Sequence, residues 1–187
     1  MAKPIGVLAL QGDFQKHLDA LAATGAEGRQ VRTPEDLDAC SKLIMPGGES
    51  TTLGILLGLA GLDMAIAARA SKGMPVWGTC MGMILMAKEI EGSDQFRFGI
   101  LDITVRRNAF GAQVFSFERD VDFVGLDSPL HAVFIRAPIV TKWGSGAEPL
   151  ARVDGQVVAV RQGNLLATSF HPELTPDGRL HEMFAGM

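Results

Sequence analysis

The clearest chemistry in this sequence lies in five residues, Gly78-Thr79-Cys80-Met81-Gly82. An apolar strand pattern over residues 75–77 precedes them, and a Met-, Leu- and Ala-rich helical pattern over 81–90 follows. That is the setting of a nucleophile elbow, a sharp turn that lifts one side chain above a sheet edge. The flanking glycines permit the turn, and the helix start beneath Cys80 favours negative charge on sulfur. The bland alternative is a buried cysteine between convenient glycines, and the strand before and helix after speak against it.

A cysteine nucleophile needs a base, and the chain has four histidines. His17 and His181 fall on helical stretches among polar neighbours and read as solvent-exposed, while His131 follows Asp127-Ser128-Pro129 in a turn region. His171 ends a strand pattern at 165–169 and is followed by Pro172-Glu173. In extended backbone, residues i and i+2 point to one side, so Glu173 can orient the His171 ring and stabilise its cation. Cys80, His171 and Glu173 are therefore the candidate catalytic set, against the plainer reading of a strand-end histidine beside an unrelated acid.

Pro46-Gly47-Gly48-Glu49-Ser50-Thr51 follows a strand and precedes a helix. It lacks the spacing and lysine of a phosphate loop. It suits an oxyanion hole better, with the Gly48 and Met81 backbone N–H groups as donors. A Gly-Gly peptide can also rotate at low steric cost, presenting an N–H in one orientation and a carbonyl in the other, which would gate activity. The alternative is an ordinary helix-start loop capped by Ser50.

These residues need a scaffold. Apolar runs at 5–10, 43–45 and 75–77, with a candidate short strand at 30–32, alternate with helical patterns at 14–22, after Thr33-Pro34-Glu35, and from Thr51 onward. Such alternation predicts a parallel sheet with helices on both faces. From Ile100 strands follow without intervening helices, at 103–105, 114–117, 121–124 and 133–135, then at 157–160 and 165–169 around Asp154-Gly155 and Gly163-Asn164 turns. A short helix over 179–184 closes the chain. The expected fold is α/β: one three-layer domain over residues 1–187, with a mixed, mostly parallel sheet.

The 187 residues, 47% hydrophobic and 20% charged, exclude intrinsic disorder. A net charge of −4 with no basic run argues against nucleic acid. Two cysteines, Cys40 and Cys80, are too few for a disulfide scaffold. Neither the N-terminal apolar run nor the stretch at 53–68, interrupted by Asp63, suits a secretory signal or membrane span. A soluble, cytoplasmic protein is expected.

Taken together, the chain resembles the class I, triad-type glutamine amidotransferases, and within them the glutaminase subunits of pyridoxal 5′-phosphate synthase. The matching stretches are GVLALQGDFQKH (6–17), PGGEST (46–51), GTCMGM (78–83), AKEIEGSDQ (87–95), RNAFGAQ (107–113), FIRAP (134–138) and SFHPELT (169–175). The resemblance implies a flavodoxin-like fold and hydrolysis of L-glutamine to glutamate and ammonia through a Cys80 thioester, with His171 as base and acid and Glu173 as its partner. It further implies that Gly48, Glu49, Ser50, Arg107, Ile135 and Arg136 bind glutamine. The ammonia would pass to a barrel-shaped synthase subunit in a hetero-oligomer, with no metal and no cofactor on this chain. The segment FGAQVFSFE departs from the usual FGRQVDSFE at Ala112 and Phe115, and Met81 and Met83 replace smaller or branched residues; the first two bear on the partner surface or loop stability rather than the triad. Competing readings are the glutaminase of another amidotransferase, such as imidazole glycerol phosphate synthase, and a different cysteine hydrolase or binding protein on the same scaffold.

Overall fold

The computed structural model describes residues 3–109 and 116–187. Its first half alternates strands and helices: β1 (Ile5–Leu8), α1 (Phe14–Ala23), β2 (Gly28–Val31), α2 (Pro34–Asp38), β3 (Lys42–Met45), α3 (Ser50–Ala60), α4 (Leu62–Ser71), β4 (Val76–Thr79) and α5 (Met81–Met86). Strands then dominate: β5 (Ala87–Ile90), β6 (Leu101–Arg106), β7 (Ser116–Val121), β8 (Leu130–Ile135), β9 (Ile139–Trp143), β10 (Glu148–Val153), β11 (Gln156–Gln162) and β12 (Leu165–Thr168). A 3-10 turn at Pro172–Leu174 leads to α6 (Arg179–Gly186).

The main sheet runs β2-β1-β3-β4-β12-β11-β9-β6-β5, with β10 paired to β11. From β2 to β12 every neighbour is parallel; β12-β11, β11-β9, β9-β6 and β10-β11 are antiparallel, and β5-β6 is parallel again. β7 and β8 form a separate antiparallel pair. The strands wall off two cores, because successive side chains point to opposite faces. Leu8, Leu43, Met45 and Val76 meet Leu53, Leu57, Leu62 and Ile66 of α3 and α4 on one face. Ile5, Val7, Ile44 and Trp77 meet Leu21, Leu180 and Phe184 of α1 and α6 on the other, joined there by the β7-β8 pair through Phe134. Helices cover both faces, and the three-layer expectation stands.

Several details differ from the sequence reading. The helix expected over 81–90 stops at Met86, and Ala87–Ile90 become β5, because pairing with β6 outweighs the helix preference of these residues. The helix starting near Thr51 breaks at Gly61, whose φ of 67° begins a second helix bent 90° from the first. The strand expected at 121–124 is the end of β7 plus a lone bridge from Phe123 to Ala151. Strands β9 and β10 were not anticipated. The positions Ala112 and Phe115, and the first half of the strand expected at 114–117, lie outside the described residues; its second half is the start of β7. Among those residues, no single helix is long and apolar enough to cross a membrane.

Two local devices fit the sequence closely. Thr33 caps α2 in a reciprocal capping box with Asp36, with Pro34 in the first turn. Lys42, at the start of β3, donates to the Phe184, Ala185 and Met187 carbonyls and so holds the last turn of α6.

Candidate active site

The carboxyl ends of β1, β3, β4 and β12 converge on a cleft of about 950 Å³. Ligands bind at this edge of a parallel sheet because the connecting loops open there. Gln11 and Gly12 come from the end of β1, Gly47 to Ser50 from β3, Cys80 and Met81 from β4, and His171 from β12; Arg107, Ile135 and Arg136 complete the wall.

The elbow is built by close packing. A Cβ on Gly78 would collide with the Gly82 backbone, and one on Gly82 with the Met45 carbonyl, so glycine is required at both. Between them Cys80 adopts φ 50° and ψ −105°, a strained conformation for a side-chain-bearing residue. Its N–H is held by the Thr168 carbonyl at 2.7 Å, tying the elbow to β12. The thiol points toward the Ile135 carbonyl at 3.6 Å, and Met81 opens α5, leaving its N–H among the unpaired amides of a helix start.

His171 is fixed through its backbone, which donates to the Val133 carbonyl of β8 at 2.8 Å. Its Nδ1 donates to Glu173 Oε1 at 2.7 Å. The pair forms across the Pro172–Leu174 turn rather than along an extended strand, so the i, i+2 proximity holds but its geometry is a 3-10 turn. Burial works to strip the proton from His171, yet hydrogen bonds with Cys80 and Glu173 overcome it and push the imidazole up to about 10. Burial likewise opposes charge on Glu173 and is the largest single influence, but the His171 hydrogen bond, the charge interactions with His17 and His171 and a backbone N–H together outweigh it, leaving the carboxyl below its ordinary range.

The loop after β3 touches this pair directly. A Cβ on Gly47 would stand 2.5 Å from His171 Cε1. Gln11 Oε1 accepts from the Glu49 N–H at 3.0 Å. Glu49, not Ser50, is the cap of α3: its carboxylate accepts from the N–H groups of Thr52 and Thr51, and these hold it down at about 2. Ser50 Oγ instead exchanges hydrogen bonds with Gln95. Arg107 donates to the same Gln95 amide oxygen at 2.8 Å. Gln95 was not singled out from the sequence, although it lies in one of the matching stretches.

The larger correction concerns His17 and His181. Both are fully buried, His17 against the Glu173 carboxylate and His181 behind His17. The signal was present in the sequence: His17 is four residues before Leu21, and His181 sits between Leu180 and Phe184, so each lies on an apolar helical stripe. His131 is on β8, not in a turn; it is exposed and bonded to Asp120 and Glu118. Among the described residues, no group of three or more His, Cys, Asp or Glu side chains could hold a metal ion.

A cysteine elbow, a His–Glu pair and a glycine loop on the carboxyl edge of a mixed α/β sheet define the architecture of the class I glutamine amidotransferases. Residues 7–187 match the SNO glutamine amidotransferase family, to which this chain belongs. A pyridoxal 5′-phosphate synthase subunit PdxT from Nocardioides sp. is 54% identical, covering 100% of this chain and 96% of the relative. Its counterpart from Dehalococcoides mccartyi is 56% identical over 98% of this chain and 96% of its own length. A crystal structure of a glutamine amidotransferase, 50% identical, superposes with a TM-score of 0.93 over 97% of each chain.

Proposed function

We propose that this chain, one glutaminase domain over residues 1–187, hydrolyses L-glutamine to glutamate and ammonia and supplies the ammonia to a pyridoxal 5′-phosphate synthase partner in a cytoplasmic hetero-oligomer. The observation that carries this reading is the His171–Glu173 hydrogen bond at 2.7 Å, beside a cysteine in a strained elbow. The names of relatives identical at more than half of their positions support the acceptor pathway.

In this mechanism, an imidazole that keeps its proton to about pH 10 is basic enough to take the thiol proton of Cys80. The Cys80 sulfur attacks the side-chain amide carbon of glutamine, and the carbonyl becomes an oxyanion facing the Gly48 and Met81 N–H groups. As the C–N bond breaks, His171 gives its proton to the departing nitrogen and ammonia leaves. Water, deprotonated by His171, then attacks the thioester, releasing glutamate and restoring the thiol. Glu173 stabilises the imidazolium throughout without itself exchanging a proton with substrate. Arg107 and Arg136 supply cationic donors for the substrate α-carboxylate, and the walls formed by Glu49, Ser50 and Ile135 orient the rest of the amino acid.

The test is glutamate release by the purified chain, measured alone and titrated with a candidate synthase subunit. The expected result is weak activity alone and strong activity on titration, as a Gly47-Gly48 peptide that must turn its N–H inward would give. Full turnover without any partner, unchanged on titration, would remove the gating part of the proposal.

A further inference from the structure

The Glu173 carboxylate has two oxygens, and the reaction above uses only one. Oε1 receives the His171 Nδ1 hydrogen. Oε2 is buried with no hydrogen bond of regular geometry, and the Nε2 of His17 stands 3.3 Å from it. That same Nε2 is 3.2 Å from Thr79 Oγ1, and His17 Nδ1 is 3.0 Å from Nε2 of His181. The outer nitrogen of His181, Nδ1, is buried and unpartnered. Trp77 packs edge-on against both rings, with centroids 5.0 Å from His181 and 5.9 Å from His17. The row of side chains Cys80, His171, Glu173, His17, His181 thus extends from the cleft through the core to α6.

The proton inventory selects one arrangement of this row. Burial keeps His17 neutral, and burial together with His17 pushes His181 down to about 4, so each ring carries one N–H. Suppose the His17 proton were on Nδ1. Its Nε2 lone pair would then face a carboxylate oxygen, and the His181 proton would be left on Nδ1 as a buried donor without an acceptor, which is costly. With the His17 proton on Nε2, both problems vanish. His181 Nε2–H donates to His17 Nδ1, the bare Nδ1 of His181 needs no acceptor, and the His17 proton faces Thr79 Oγ1 and Glu173 Oε2. The charged oxygen is the stronger acceptor of the two.

We propose that His17 is a positioning residue that holds Glu173 through Oε2, in a tautomer fixed by His181, and so aims Oε1 at His171. The inference rests on the triad reading above. Its chemical sense is that a carboxylate held at one oxygen alone can swing about its last bond, whereas one held at both presents a fixed acceptor to the imidazole. His17 lines no part of the substrate cleft, so its loss acts on the chemical step and not on glutamine binding.

The experiment compares His17→Leu and His17→Gln in complex with the synthase subunit. The glutamine amide nitrogen is as many bonds from Cβ as His Nε2 and can donate in its place; leucine cannot. The expected result for His17→Leu is a kcat lower by about ten- to a hundred-fold with KM for glutamine unchanged, the scale set by misplacing a catalytic group. His17→Gln should recover most of that loss. A leucine variant with wild-type kcat, or a glutamine variant as impaired as leucine, overturns the proposal. Nitrogen-15 histidine spectra of the unaltered chain test it without any variant: His17 should be protonated on Nε2 and His181 on Nε2, and a His17 proton on Nδ1 overturns the assignment. Undiminished activity of Cys80→Ala would instead bring down the triad reading itself, so the two failures are distinguishable.

Discussion

Gly47 and His171 are in contact across the cleft, close enough that a single methyl group on Gly47 would stand 2.5 Å from the imidazole Cε1. The loop after β3 and the base after β12 are therefore one fitted surface. Gly47→Ala should push the ring off its Glu173 partner while leaving both cores intact. The expected outcome is a loss of kcat of about a hundredfold with a melting temperature close to wild type. Steady-state kinetics and a thermal melt together check it.

Cys80→Ala or Cys80→Ser should remove essentially all glutaminase activity, at least about a thousandfold, since triad members act as a unit. Cys40→Ser should be nearly silent, because that thiol is buried against the Asp36 carbonyl and lines no part of the cleft.

Glu173→Gln should cost less than His171→Asn, by about tenfold or more in kcat. The amide keeps an acceptor for His171 Nδ1 and loses the charge and the second acceptor facing His17, whereas asparagine at 171 leaves no group to move the proton. Parallel kcat measurements decide the order, and a more damaging Glu173 change would show that its role has been misread.

Two histidines should shape stability against pH with opposite signs. His171 is raised, so its contribution is complete below pH 6.5 and is lost as pH rises through about 10. His181 is lowered to about 4, so the unfolded chain binds the extra proton first, and stability falls as pH drops from 6.5 toward 4. The His181 effect is about 3 kcal/mol over that interval. Urea midpoints across pH should show a flatter acid limb for His181→Gln with the alkaline limb unchanged.

Gln95 joins Arg107 to Ser50 from outside the cleft. Gln95→Ala should free Arg107 and raise KM for glutamine by about tenfold, the worth of one hydrogen bond to a charged group, with little change in kcat. Initial rates at varied glutamine concentration separate the two constants.

The parallel half of the fold was legible because β1, β3 and β4 are short apolar runs ending in glycine-rich turns, and Cys80 because its elbow needs glycine on both sides. Asp154-Gly155 and Gly163-Asn164 marked the two hairpins correctly. The fate of Ala87–Ile90 was not legible, since partners on β6 decide it and no local preference does. His17 and His181 were misjudged for a related reason. Leu18 and Leu180 beside them and Leu21 and Phe184 about a turn further mark the buried faces, but the charged neighbours Lys16 and Glu182 masked that pattern, and the surfaces that bury the two rings meet only when α1 packs on α6, 164 residues away. Gln95 belongs to no regular element, and its role depends on Arg107 and Ser50 arriving beside it.

The pairing of β4 with β12 has a consequence for the timing of activity in the cell. Trp77 lies opposite Leu166, and Thr79 opposite Thr168, so the strand that carries the base enters the middle of the sheet beside the strand that carries the nucleophile. A ribosome that has finished the first five strands has already made Cys80, yet the emerging chain has no imidazole beside it and a vacant edge on β4. Glutamine hydrolysis is thereby deferred until the final strand has been synthesised and inserted, and a fragment released early carries a thiol without a base. Quality control of this enzyme is written into its strand order: only a chain that has closed its sheet can spend glutamine.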